Sequence, residues 1–177
     1  GISMPSHPAL KLLISTGQRV EEVLQANWSE FDLKEGLWAI PAERRKSRHE
    51  ATEPHIVPLT EFHLDLLQQV RGATEHPEWL FPHKDRQQPR KADALYQATH
   101  RFCKSNEIEP FAPRDCRRTF KTLAGSIGID LELRNRLQGH AMTDVGSVHY
   151  GRWNYLPEKR KAMETWTEWL SKLLCSK

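Results

Sequence analysis

Apolar positions along the chain change period twice, and the changes divide it into helical and extended stretches. Pro8 to Ile14 is apolar-rich and reads as a helix ended by Thr16-Gly17. A second short helix follows from Arg19, with Val20, Val23 and Leu24 at i, i+3, i+4. The period then shortens. Trp28 to Leu33 reads as a strand, Lys34-Glu35-Gly36 as a turn, Leu37 to Ile40 as a second strand and His55 to Pro58 as a third. From Thr60 the helical period returns: Thr60 caps, Phe62, Leu66, Leu67 and Val70 share a face, and Gly72 is the expected stop. Trp79 to Pro82 is a short extended piece. Further helices are expected over Lys91–Ser105, from Pro113 to Ile127, from an Asp130 cap to Gly139, from a Thr143 cap through Tyr150, and over Glu158–Leu174. The sum is an α+β domain, mainly helical, with one small antiparallel sheet of three strands.

Composition adds limits. At 177 residues the chain suits a single domain with a real core. No run of 18 apolar residues offers a transmembrane helix, and the first thirteen residues lack a signal-peptide pattern, so the expected place is the cytoplasm. Cys103, Cys116 and Cys175 are odd in number and far apart, and the nine histidines make no metal-ligand spacing with a third ligand in view. A reduced protein without metal or cofactor is expected. Net charge is only +3, which permits a nucleic-acid partner without demanding one.

The distribution of charge says more. On the helix from Pro113 at ~100° per residue, Cys116, Phe120, Leu123, Ala124 and Ile127 fall on one side and Arg114, Arg117, Arg118 and Lys121 on the other. Four cations on one face, with no acid read as spaced to pair them, repel one another unless an anion is near. The plain alternative is a solvated basic face. Placement of two of them at the helix start, where the macrodipole disfavours positive charge, favours an anion such as phosphate there.

Five boxes in order give the chain a family resemblance: Thr16-Gly17-Gln18-Arg19-Val20-Glu21-Glu22; Lys46 in a charged hairpin before His55-Ile56-Val57-Pro58-Leu59; Arg114-Asp115-Cys116-Arg117-Arg118-Thr119; Leu137-Gln138-Gly139-His140; and Tyr150. This order resembles the catalytic domain of tyrosine recombinases, and more narrowly phage and genomic-island integrases. The tail from Tyr150 through Pro157-Glu158-Lys159-Arg160 to Trp166 is similar to integrases of satellite phages and pathogenicity islands. The resemblance spans Leu10 to about Leu170. It implies that residues 1–177 are one catalytic domain, the C-terminal piece of a longer integrase whose N-terminal DNA-binding domains are absent here.

The resemblance implies DNA cleavage and rejoining through a covalent 3′-phosphotyrosyl intermediate, with integration or excision of a mobile element. Tyr150 is then the nucleophile; its phenol, of pKa ~10, needs activation by cations or a base. Arg19 and Arg117 match two phosphate-clamping arginines, with Glu22 placed to orient Arg19. A structural pair with Glu22 is the alternative for Arg19. Lys46 matches a general acid to the leaving 5′ oxygen, its pKa lowered by Arg44, Arg45 and Arg48; the alternative is one charge in a solvated run. His140 matches a phosphate-bonding histidine, against an ordinary loop histidine. Arg114 departs from the commoner His at its box position: it can donate to phosphate but not accept a proton. His149 is taken as a bystander, and Tyr155 as a packing residue at the start of the last helix.

The implied partner is double-stranded DNA, with a homo-tetramer on DNA for the full-length protein, a monomer or weak dimer for this piece, and an accessory DNA-bending protein. No membrane partner is expected. Rival readings are a type IB topoisomerase-like enzyme and a catalytically impaired DNA-binding module. The last helix carries Ala162, Trp166, Trp169, Leu170, Leu173 and Leu174 as one apolar stripe, which either covers the domain's own core or docks on a neighbouring protomer.

Overall fold

The computed structural model describes residues 4–45, 53–140 and 155–175. Its helices are α1 (Ser6–Thr16), α2 (Val20–Leu24), α3 (Glu61–Thr74), α4 (Ala92–Ser105), α5 (Asp115–Ser126), α6 (Leu131–Leu137) and α7 (Leu156–Cys175), with strands β1 (Phe31–Asp32), β2 (Leu37–Ile40) and β3 (His55–Pro58) between α2 and α3. The strands form one antiparallel sheet in the order β1-β2-β3, with Trp38 opposite Val57 and Ile40 opposite His55. The mainly helical α+β architecture is as the sequence predicts. The expected helix from Thr143 through Tyr150 lies outside the described residues.

Helix α1 is the centre of the domain and packs on α2, α3, α5 and α7. Leu12 and Leu13 on α1, Trp38 on β2, Phe120 on α5 and Trp166 on α7 are fully buried in one core. Gly17 ends α1 in the left-handed region, at φ +68°, and donates its N–H to the Leu13 carbonyl. The position needs glycine twice over, because a Cβ there would lie 2.6 Å from the Phe120 ring. The closeness of α1 to α5 therefore depends on a missing side chain.

Three boundaries differ from expectation. Trp28–Glu30 is a 3₁₀ turn capped by the Asn27 side chain, so β1 is only two residues long. Helix α3 runs through Gly72 to Thr74 and ends at Glu75 with φ 46°; Gly72 is exposed, and a helix carries an exposed glycine at a cost of only ~1 kcal/mol. Helix α5 begins at Asp115 rather than Pro113, because the Asp115 carboxylate accepts the Ala112 N–H and closes the preceding turn.

The apolar stripe of α7 divides. Ala162, Met163, Trp166 and Leu170 are buried against β3 and α1, and Trp166 Nε1 donates to the Ile14 carbonyl at 3.3 Å. Leu173 and Leu174 are 52% and 50% exposed. The helix is core over most of its length and bare over its last turn. The three cysteines are free thiols, and no described helix is long and apolar enough to cross a membrane.

Candidate active site

Residues from four elements meet where α1 and α6 both end. The first is Arg19, the N-cap of α2. Its Nη1 donates to Glu22 Oε1 at 2.8 Å, and its backbone N–H donates to Glu22 Oε2 at the same distance. The Glu22 side chain is 3% exposed and that of Arg19 28%. One carboxylate thus caps the helix and aims the guanidinium, so the pairing and the outward-facing role of Arg19 are compatible.

The second is Arg117, one turn into α5. Its Nη1 donates to the Gly17 carbonyl at 2.7 Å and its Nη2 to the Gln138 carbonyl at 2.8 Å. Both acceptors lie at helix C-terminal ends, where the macrodipole favours a cation and unpaired carbonyls need donors. Two of five N–H groups are so engaged, and the described residues take none of the other three. Burial, then the Arg19 charge, pulls the Arg117 pKa down to about 10, which leaves it protonated at neutral pH.

Gln138, itself buried, donates Nε2 to the Arg117 carbonyl at 2.8 Å. Gln18 donates to the Leu137 carbonyl at 2.8 Å. The ends of α1, α5 and α6 are therefore laced by side-chain-to-backbone bonds.

The third element is α6, capped as expected by Asp130, whose carboxylate accepts the Leu133 N–H. Gly139, at φ +62°, turns the chain and presents His140, which is exposed. The His140 pKa is pushed down to about 4, by loss of water first and then by Arg117, Lys121 and Arg19. The imidazole is thus neutral at neutral pH, with one donor and one acceptor nitrogen.

The fourth element is the turn after β2, a 3₁₀ turn over Ala42–Arg44. Arg44 turns inward to an ion pair with Glu30, which also accepts Trp38 Nε1. Arg45 turns the other way and donates Nη2 to the Gly139 carbonyl at 2.7 Å. Its pKa is lowered, by burial first; Glu22 opposes and Arg19 adds to that shift. The first two cations of that charged run are thus divided between a structural pair and the site, and its remainder, Lys46 to Arg48, lies outside the described residues.

The structure brings Arg19, Arg117 and His140 together, with Glu22, Arg45 and Lys121 electrostatically close. Arg114 is exposed at the N-cap of α5, and its charge acts on Tyr96 and Asp115. Arg118 is paired with Asp115, three residues back, so the α5 face does hold an acid at pairing distance. Lys46, Tyr150 and His149 lie outside the described residues. Tyr155 packs as expected, under the Arg136 guanidinium at 3.6 Å from its ring centroid. Among the described residues no group of three His, Cys, Asp or Glu side chains is placed to hold a metal ion.

Residues that sequence reasoning passed over are Gln18, His55 and Gln138, all buried at this junction. All three stand inside the boxes that carry the resemblance, and that place was the available signal.

Residues 2–155 match the phage integrase family. The chain is 27% identical to the integrase of Enterobacteria phage P4, over 92% of this chain and 39% of that protein. It is 25% identical to the prophage integrase IntZ of Escherichia coli K12, over 97% of this chain and 41% of the relative. It therefore spans about two fifths of the length of these relatives. In fold it is similar to the integrase from mycobacterium phage Brujita, with a TM-score of 0.67 at 16% identity over 91% of this chain and 51% of the other. The XerH recombinase bound to its difH substrate gives 0.63 at 22% identity, over 83% and 42%. With a family match that covers most of its length, the chain belongs to the phage integrase family, and it is similar to integrases of a phage and of bacterial prophages.

Proposed function

We propose that this chain is the catalytic domain of a site-specific recombinase that cleaves and rejoins double-stranded DNA to integrate or excise a mobile element. The convergence of Arg19 and Arg117 on one open face, with Glu22 and two helix ends aiming them, carries the reading. The Tyr150 oxygen bonds to phosphorus and the bond to the 5′ oxygen breaks. The 3′-phosphotyrosyl ester remains on the protein, and the 5′ hydroxyl leaves with a proton from Lys46. Arg19 and Arg117 offset the charge that grows on the non-bridging oxygens, so a divalent metal is not needed for that task.

The phenol gives its proton to water, and the cations stabilise the phenolate that attacks. An imidazole with a pKa of about 4 is a weak acceptor for a phenol of pKa ~10. A bound phosphodiester raises the His140 pKa and so favours the imidazole as a donor to phosphate. Arg114, exposed at the start of α5, suits a flanking phosphate better than the scissile one. The assembly is a tetramer on two duplexes, with this domain supplied once by each subunit.

A nicked suicide duplex tests the reading. Cleavage should trap a protein–DNA adduct on a denaturing gel, in chelator as well as without it. Tyr150→Phe should abolish the adduct with DNA affinity unchanged. A persistent adduct in Tyr150→Phe defeats the nucleophile assignment, and none from the unmodified chain defeats the enzymatic reading.

A further inference from the structure

The last carbonyls of a helix have no partners within it and must find them elsewhere. At the end of α6 three successive ones do so, each from a different element. The Leu137 carbonyl accepts Gln18 Nε2 at 2.8 Å and lies 3.0 Å from His55 Nε2. The Gln138 carbonyl accepts Arg117, and the Gly139 carbonyl accepts Arg45. The next residue is His140.

Of these donors His55 is the least expected. It opens β3, is 8% exposed, and comes from the sheet rather than from the helices that carry Arg19 and Arg117. Since a carbonyl only accepts, the Nε2 of His55 carries the proton. Burial first, then Lys159 and Arg45, pushes its pKa down to about 3, so the ring is neutral and remains a single, fixed donor at working pH. The ring also fills the space beside Gly139. A Cβ at that position would lie 3.0 Å from His55 Cδ2 and 3.1 Å from Arg45 Nη2. Gly139, at φ +62°, thus has the Arg45 bond on its carbonyl and a ring and a guanidinium in the space a Cβ would take.

We propose that His55 is a positioning residue for His140: with Arg45 it locks the Leu137–Gly139 turn so that the His140 imidazole is held beside Arg117. Gln18 alone would keep the Leu137 carbonyl satisfied, so what His55 adds is the place of the turn. The inference rests on the recombinase reading for its kinetic consequence but not for its geometric one.

A double-mutant cycle and a titration test it. Single-turnover adduct formation on the nicked duplex is compared in His55→Leu, His140→Ala and the double variant. His55→Leu should slow the reaction about tenfold when His140 is present and less than twofold when it is absent, because coupled sites are not additive. His55→Gln keeps an N–H in reach of Leu137 and should stay within threefold of the parent. In the free protein, NMR titration should find the His140 pKa well below 6.5, and shifted toward 6.5 in His55→Leu. If His55→Leu does not fold, His55→Asn, whose amide is too short to reach Leu137, takes its place in both measurements. Equal slowing in both backgrounds, no slowing at all, or an unmoved His140 titration overturns the proposal. The titration reads the positioning even where no adduct forms, so failure of the enzymatic reading is told apart from failure of this one.

Discussion

Helix α5 carries two kinds of arginine side by side. Arg117 is half-buried, bonded to two backbone carbonyls from other helices, and lowered in pKa by burial. Arg118, its neighbour in sequence, is 77% exposed and paired with Asp115 on its own helix. Both guanidiniums have the same chemistry; what separates them is what lies within reach. A rotation of ~100° turns one toward the ends of α1 and α6 and the other toward water. The lesson is that a basic helix face is not one object. Its inner edge is a built site, and its outer edge is a surface whose ion pairs contribute little.

The sharpest way to break this contrast is at Arg117. Arg117→Ala should slow adduct formation by ~10²–10³, the usual cost of losing one fixed transition-state donor. Arg117→Lys should fare nearly as badly, because one ammonium cannot span the Gly17 and Gln138 carbonyls as a fork does. Cleavage within tenfold of the parent for Arg117→Lys would show that charge alone suffices.

Gly17→Ala comes next. The added methyl meets the Phe120 ring at 2.6 Å and sits on a left-handed backbone, so a loss of ~2–4 kcal/mol is expected in a denaturant melt. Since the Gly17 carbonyl holds Arg117, cleavage should fall as well. An unchanged melt would mean that α1 and α5 can separate without cost.

Acid probes the buried histidines behind the inner edge. His55 and His63 are buried, with pKa values held near 3 and 4 mainly by desolvation, against an ordinary 6.5. The unfolded chain then binds more protons below pH 6.5, so stability is full above 6.5 and lost as the pH falls toward 4. Each group contributes on the order of 2 kcal/mol to that loss by pH 5. Thermal melts at pH 7.5 and 5 check it; equal Tm values would contradict both assignments.

The smallest effects belong to the outer edge. Arg118→Ala should change stability by less than ~0.5 kcal/mol, and Arg114→His should leave cleavage within a fewfold of the parent. A collapse of activity in either would place it in the inner site.

These two edges also mark what the sequence disclosed. The order of boxes picked out Arg19, Arg117 and His140, and the fold gathers them. Helical and strand periods located most elements, and the Asp130 cap was legible because capping is local. The Asp115–Arg118 pair was equally legible, since i,i+3 spacing is written in the chain, and it was overlooked. Bonds such as Arg117 to Gly17 or Gln18 to Leu137 were not legible. They join residues 100 and 119 positions apart, and their acceptors are backbone carbonyls, which every residue possesses. Gly72 misled as a helix stop because a glycine ends a helix only where the chain gains by turning, and α3 turns at Glu75.

The aromatic packing behind the arginines gives the molecule its own optical reporter. Trp166 stands edge-on to Phe120 at 5.1 Å between centroids and lies nearly parallel to Trp169 at 5.3 Å. Two indoles at that separation couple their strong electronic transitions, and the coupled pair should give an exciton signal in the circular dichroism. Phe120 is also the ring that seals Gly17. One ring thus joins the carbonyl-bearing turn that holds Arg117 to a chromophore pair, and a shift of that turn is expected to change the protein's own spectrum without any added label.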